Sequence, residues 1–480
     1  MYDITIIGCG VIGASIAYSL SAYDLNVLIL EQENDVAMGT TKANSAIVHA
    51  GYDPEPGTLI ARLNVRGSEM MEDLCKKLSV KYNRVGSFVL AFSEKDKLHL
   101  EKLYDNGVKN GVPGLKIISG DEAREMDPHL SKTVVAALYA PSAAIIDPWG
   151  LAIAEAETAV RNGADLRCNA KVTGLEQKED SVVLHTAAGD FETRYVINCA
   201  GCWAGDICAL TGKEEWTSAL ARGEYYLMDK SSGSLAKHVI FQCPTEKGKG
   251  VLVAPTVHGN LIVGPNATPV ADPYNRETTL AGLDEVAEAS RLSIDGIDLR
   301  QCIRNFAGVR AIISESDFVI RPAELCPRML HVAGIKSPGL SAAPAIAEYV
   351  IEQLGEMGLT LNRKESWIET REQIRFKELS QAEKEALIKE NPRYGRVICR
   401  CETITEGEIV DAIHSPIPPC SIDGVKRRAG AGMGRCQGGF CGPRVLDLIA
   451  RELGVSPFDV LQDGEGTKLL ISETKGGAAV

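Results

Sequence analysis

The stretch Ile4-Thr-Ile-Ile-Gly8-Cys-Gly10-Val-Ile-Gly13 decides how the rest of the chain is read, together with Ala14 to Leu20 and Val27-Leu-Ile-Leu30-Glu31. Ile4 to Ile7 is a short β-branched run, Ala14 to Leu20 is helical in composition, and Val27 to Leu30 is a second apolar strand. This order predicts one βαβ unit of a parallel sheet. Gly8 permits the tight turn, Gly10 lets a pyrophosphate approach the backbone, and Gly13 lets helix and strand pack closely. Val11 and Ile12 open the helix, whose first N–H groups and partial positive charge face the phosphates. Glu31, with Gln32 beside it, places a carboxylate where ribose hydroxyls donate and where a 2′-phosphate is repelled. The pattern predicts a dinucleotide site, disfavours NADP, and by itself leaves FAD and NAD both open.

Around this unit the chain runs to 480 residues, which suggests about three domains. The formal net charge of −13 disfavours nucleic acid or an anionic membrane as main partner, so an anionic substrate needs locally concentrated cations. No apolar run approaches the ~20 residues needed to span a bilayer. Met1 to Gly10 lacks a basic region before its apolar stretch and reads as a buried strand, not a signal peptide. The expected location is cytoplasmic, with peripheral association at the inner membrane face through a partner left open. Disulfides are then not expected among the fourteen cysteines, and Cys9, Cys75, Cys199, Cys208 and Cys302 read as core.

Strand-like runs recur at Ser87 to Phe92, Tyr195 to Cys199, Glu224 to Met228, Gly250 to Ala254 and Asn260 to Gly264. Helical runs recur at Leu63 to Leu78, Gly150 to Arg161, Ala281 to Leu292 and Ala343 to Leu354. Strands outside a strict βαβ alternation predict a second, partly antiparallel sheet. Arg363 to Asn391 is highly charged and lacks Gly, which predicts a solvated helical linker. A small unit follows over about 394–456, and residues from 457 on read as a tail, its Gly-, Ser-, Thr- and Lys-rich end on the surface or loosely ordered.

That small unit carries Cys399-Arg-Cys401 and Cys436-Gln-Gly-Gly-Phe-Cys441, a set of four potential thiolate ligands. They flank a helix whose start has a capping box at Thr405 and Glu408. A second helix is expected from Pro443 to Leu453, ended by Gly454. Four thiolates satisfy either an iron–sulfur cluster or structural zinc, although neither pair has the C-x-x-C spacing common in zinc knuckles.

Six further segments carry a resemblance. They are Thr40 to Gly51 (TTKANSAIVHAG), Asn198 to Ala204 (NCAGCWA), Arg222 to Tyr226 (RGEYY), Ala254 to Asn260 (APTVHGN), Phe306 to Arg310 (FAGVR) and Gly334 to Ala345 (GIKSPGLSAAPA). Through them the chain resembles the D-amino-acid-oxidase-like superfamily of FAD enzymes, and within it FAD-dependent glycerol-3-phosphate dehydrogenases and L-2-hydroxyglutarate oxidases. The cysteine segment resembles the bacterioferritin-associated-ferredoxin-like [2Fe–2S] domain, with Cys399, Cys401, Cys436 and Cys441 as ligands. The resemblance implies a Rossmann-like FAD lobe (about 1–85, 145–215 and 326–362) and a mixed-sheet substrate lobe (about 86–144 and 216–325). It implies that Thr40, Thr41, Asn44 and Ser45 contact pyrophosphate and flavin, and that Val172 contacts the adenine. Ala200, Gly201 and Trp203 fall in a second flavin segment. The turn Gly334, Ile335, Lys336, Ser337, Gly339 and Leu340 wraps the flavin's pyrimidine end.

Oxidising a secondary alcohol needs a hydride acceptor and a base for the hydroxyl proton. His49 is the first candidate base and His258 the second; the alternative for both is a structural histidine. Arg310 matches a position that clamps an anion, and an arginine fork suits phosphate or carboxylate alike. Lys336 adds charge near substrate or flavin; Arg222 and Tyr225 are weaker candidates. The architecture leans to glycerol 3-phosphate as substrate, with L-2-hydroxyglutarate or another 2-hydroxyacid as alternative. A non-catalytic flavin and iron–sulfur electron-transfer subunit is the competing class. The expected acceptor is another redox subunit or a quinone-linked partner.

Overall fold

The computed structural model describes residues 1–244 and 250–474. Tyr2–Ile7 lies inside the first sheet. It pairs in parallel with Val27–Leu30 on one side, Ile4 opposite Val27, and with Gly189–Asn198 on the other, Ile4 opposite Tyr195. Asp165–Arg167 extends the sheet beyond Val27–Leu30, and Met329–Ala333 joins Gly189–Asn198 in parallel. Val172–Gln177 and Val182–Thr186 add antiparallel to the same sheet. A parallel strand covered on both faces reads as an unbroken apolar run, and all four residues of Val27–Leu30 are buried.

The helices that cover this sheet are positioned by the glycine turn. Gly8 has φ +96°, a region open to Gly, and a Cβ on Gly13 would lie 2.0 Å from the Gly8 carbonyl oxygen. With no side chain in the way, Val11–Leu20 packs against Pro148–Arg161 and Gly339–Glu356, and Ile6, Ile16, Leu20 and Ile346 share one core. Pro148 sits at the start of its helix, where Asp147 caps by accepting the Gly150 N–H at 2.9 Å.

The second sheet is mixed, as expected. Val239–Gln242 runs parallel to Ser87–Ala91, while Ala221–Met228 lies antiparallel to Leu261–Gly264 and Cys302–Arg310. Tyr225 stands opposite Phe306 in that register, and their rings stack at 4.7 Å. The C-terminal unit has its own core of Ile398, Ile404, Ile409, Ile413, Val425, Val445 and Ile449. Thr405 and Glu408 form the capping box. Among the described residues, no helix is long and apolar enough to cross a membrane.

Three expectations need correction. Val319–Pro322 pairs with Met329–Ala333, so the third segment of the first sheet begins before residue 326. The charged stretch after Arg363 is α-helical only over Gln381–Glu390, with one 3-10 turn at Phe376–Glu378. Before that it is a strap over the first lobe: the Lys364 N–H donates to the Ala22 carbonyl, Trp367 Nε1 donates to Ser21 Oγ and the Arg371 N–H donates to the Lys77 carbonyl. Charge alone does not make helix when the backbone finds long-range partners. The stretch after Gly464 lies on the surface, exposed over 465–474, and through Lys468 it is also tied: Gln462 and Thr467 are bonded, and Leu461 bridges both Ser421 and Lys468; residues 475–480 lie outside the described part. Cys302 is half-exposed instead of core. The short helix Ile422–Ala429 escaped the sequence reading, since its basic run and Gly424 mask a buried face of Ile422 and Val425.

Candidate active site and cluster site

A cleft of about 720 Å³ opens between the two sheets and is lined by residues from both. Its nucleotide end is built from the glycine turn. Gly10 has no side chain to cap the helix Val11–Leu20, and of its first N–H groups that of Val11 donates to Thr41 Oγ1 at 2.9 Å. The other first-turn N–H groups, beside bare Gly8 and Gly10, are the donor set a pyrophosphate requires. Glu31 accepts the Cys9 N–H at 2.7 Å and the Glu33 N–H at 2.9 Å. Burial pushes its carboxyl up to about 7 in spite of these bonds, so added donors such as ribose hydroxyls stabilise the charged form.

Every residue named for the cofactor lines the cleft except Gly13, which packs helix on strand behind it. Thr40, Thr41, Asn44 and Ser45 arrive on a loop fixed by its own bonds: Asn44 Nδ2 donates to the Thr40 and Thr41 carbonyls, and the Thr40 hydroxyl donates to the Val309 carbonyl at 2.7 Å. Gly334 to Leu340 forms the opposite wall and runs into the helix Gly339–Glu356. The helix start at this wall suits negative charge on a bound ring system.

His49, Arg310 and Lys336 line the same cleft although 261 residues separate the first two. His49 Nε2 lies 3.1 Å from Ser337 Oγ, its ring stacks on Phe241 at 5.6 Å, and its backbone N–H donates to Ser341 Oγ. Arg310 Nη2 donates to the Asn266 carbonyl at 2.9 Å, beside the buried Tyr225 whose hydroxyl is 3.2 Å from Ser45 Oγ. Thus Tyr225 belongs to the cleft. Arg222 does not: it is buried in a pair with Glu224 at 2.9 Å and donates to Asn275. His258 is also elsewhere. It stacks on Trp149 and stands 3.7 Å from Asp147, outside the cleft wall. The strand-turn it follows faces the helix cap, so the motif position did not determine side-chain direction. Phe241 and Gln242, at a strand end, and Asn266, in a loop, also line the cleft and escape the sequence reading, because a pair and a single residue far apart in the chain leave no local signal.

The four C-terminal cysteines come together as two touching pairs. Cys401 and Cys436 sulfurs are 3.6 Å apart, and the Cys441 thiol bonds Cys399. Cys399 and Cys441 are buried, whereas Cys401 is exposed. Backbone N–H groups of Phe440 and Gly438 point at the Cys436 sulfur, those of Gly432 and Glu402 at Cys399. A Cβ on Gly434 would lie 2.3 Å from Cys401 Cβ, so that loop closes only around glycine. Thiols in contact, ringed by backbone donors, fit a cluster with bridging sulfides. One other group has metal-like composition: Cys208, Glu215 and His331 are near one another. There Asn198 Nδ2 donates to His331 Nδ1, which leaves the proton on Nε2 facing Glu215 at 3.5 Å. That nitrogen offers no lone pair to a metal.

The cysteine unit is bolted to the first lobe by buried charge. Arg428 makes a two-pronged contact with Asp35, both bonds 2.8 Å, and Arg427 bridges Asp35 and Asp463. Asp463 in turn holds Lys42, the last residue of the turn Thr40–Lys42, at 2.6 Å. Burial opposes the charge on Asp35, but the guanidinium of Arg428 overcomes it and keeps the carboxyl below its usual range.

Comparison with known proteins identifies the family. Residues 3–353 match the family described as FAD dependent oxidoreductase, and 397–451 match the BFD-like [2Fe-2S] binding domain. The chain is 48% identical over 476 residues to a glycerol 3-phosphate dehydrogenase of Caloramator mitchellensis, covering 99% of each. It is 33% identical to a glycerol 3-phosphate oxidase of Mycoplasma genitalium, over 76% of this chain and 97% of that one. Among solved structures it resembles dithionite-reduced L-alpha-glycerophosphate oxidase from Mycoplasma pneumoniae with FAD bound (TM-score 0.73, 29% identity, 77% of this chain and 98% of that one). The chain therefore takes FAD and a [2Fe–2S] cluster, and it belongs to the FAD dependent oxidoreductase family.

Proposed function

We propose that this chain oxidises glycerol 3-phosphate at its secondary alcohol, giving dihydroxyacetone phosphate, and passes the electrons through its [2Fe–2S] unit to a partner. The observation that carries the reading is the convergence of His49, Arg310 and Lys336 in the cleft that takes FAD. The name of the relative that spans the whole chain supports the substrate. Bound FAD supplies the hydride acceptor, its N5. His49 takes the hydroxyl proton at Nε2, the atom Ser337 keeps oriented. Arg310, steadied by the Asn266 carbonyl and Tyr225, holds the phosphate with its remaining donors, and Lys336 adds a second positive charge. The stacked Phe241 and the lining Leu252 keep water from the reacting carbon. The exposed Cys401 gives the electrons an outlet at the surface.

Anaerobic titration with glycerol 3-phosphate should bleach the flavin absorbance at lower concentration than L-2-hydroxyglutarate does; the reverse order would replace the substrate. His49→Ala should keep FAD and slow bleaching by about 10²–10⁴-fold. Unimpaired bleaching in that variant removes His49 as the base.

A further inference from the structure

We propose that the arginine-rimmed face around Cys401, Cys436 and Phe440 docks an acidic one-electron carrier protein. The inference rests on the reading above and specifies its electron acceptor.

The cluster ligands are disposed unequally. Cys399 and Cys441 are buried, while Cys401 is exposed and Cys436 half-buried, so one end of the cluster faces outward. Phe440, between Gly439 and Cys441, is 85% exposed. A large aromatic left in water beside a redox site is the anchor type found at the centre of protein interfaces.

Charge selects the partner. Residues 426–444 carry five basic residues and no acidic one, in a chain whose net charge is −13. Arg427 and Arg428 are spent on Asp35 and Asp463. Arg435 and Arg444 remain exposed, and Arg400 lies exposed between two ligands. The second lobe adds exposed Arg304, whose Nη1 is 3.5 Å from Gln437 Oε1. Nearby acids are few or occupied. Glu402 is buried between Lys230 and Lys377, and Asp229 pairs with Arg435 at 3.2 Å without burying it; Asp447 is exposed one turn beyond Arg444. A positive ring around an outward cluster speeds encounter with an acidic protein and repels a basic one. A single exposed aromatic is a small apolar footprint for a membrane, which favours the protein partner.

The electrons balance with two carriers. One alcohol loses a hydride and a proton, two oxidised carriers each gain one electron, and two protons pass to water.

The test uses the full-length holoenzyme with the acidic soluble domain of cytochrome b5 and the basic cytochrome c, both one-electron acceptors read by haem absorbance. Cytochrome b5 should be reduced faster at low salt, falling about tenfold between roughly 20 and 300 mM salt. The double variant R435E/R444E should lose about tenfold at low salt and lose binding of oxidised cytochrome b5 in thermophoresis, while flavin bleaching by substrate is unchanged. Phe440→Ala should weaken the same binding. Faster reduction of cytochrome c at low salt, or cytochrome b5 binding and reduction indifferent to charge reversal, would overturn the proposal. So would loss of binding to phosphatidylglycerol vesicles in the double variant with cytochrome b5 unaffected, which would make the face a membrane contact. Reducing the enzyme beforehand with dithionite, removing the excess anaerobically and then adding the cytochrome separates failure of the docking face from failure of the substrate assignment.

Discussion

The FAD cleft and the cysteine unit solve the same problem, holding a redox group, by opposite means. The cleft draws on three remote stretches: the Thr40 turn leans on Val309, and His49 leans on Ser337 and Ser341. The cysteine unit gathers its four proposed ligands within 399–441 and has a core of its own. A site assembled across a sheet is held by the whole fold and stands ready for its cofactor. A local site with two touching thiol pairs depends on its metal, because bringing four sulfurs together without one leaves them crowded and uncompensated.

The largest effect that contrast predicts is all-or-none. Cys441→Ser should abolish the cluster's visible and paramagnetic signals and make the unit after residue 394 sensitive to protease. FAD content and flavin bleaching should persist. Loss of FAD as well would mean the two sites are not separable.

The interface between the regions is the next place to press. Asp35→Asn leaves Arg428 buried, with side-chain exposure of only 1%, without its two-pronged partner and with only the looser Glu157 contact at 3.6 Å. It should cost about 3–5 kcal/mol of docking, visible as faster hydrogen exchange across 422–429 and the 363–376 strap. Because Asp463 reaches Lys42, the flavin loop should also exchange faster.

Within the FAD lobe, Glu155 lies fully buried under the glycine helix and accepts from Ser15 Oγ. Burial pushes its carboxyl up to about 8, against the lowering bond from Ser15. The native state therefore holds a proton that the unfolded chain releases near its ordinary value of about 4.5. Stability from this residue is full below that value and falls as pH rises towards 8. Glu155→Gln keeps a bonded neutral group and should gain on the order of 1–3 kcal/mol near pH 8 and almost nothing near pH 4. A parallel pair of melting profiles across that range would remove the effect.

The smallest effect belongs to the nucleotide turn. Thr41→Ala removes the acceptor of the Val11 N–H and should cost about 1 kcal/mol, or roughly fivefold in FAD affinity measured by equilibrium dialysis. The cluster spectrum should not change.

Local pattern carried a great deal. The βαβ unit, the glycine turn, Glu31 and the capping box at Thr405 are legible because each depends on residues within one or two helical turns. The cysteine pairs are legible for the same reason. His258 and Arg222 show the limit: both lie in segments that resemble pocket walls, yet one faces Trp149 and the other Glu224.

From composition and spacing alone came a nucleotide turn, a thiolate set and an acidic chain needing local cations, since each is encoded over a few neighbouring residues. Tertiary structure decided which cations face the cleft, how the strap and Asp35 seat the cysteine unit, and where Phe440 meets water. Those outcomes depend on how segments far apart in the chain pack together; for Arg310, at the end of a paired strand, a one-residue slip in register would turn the side chain to the other face.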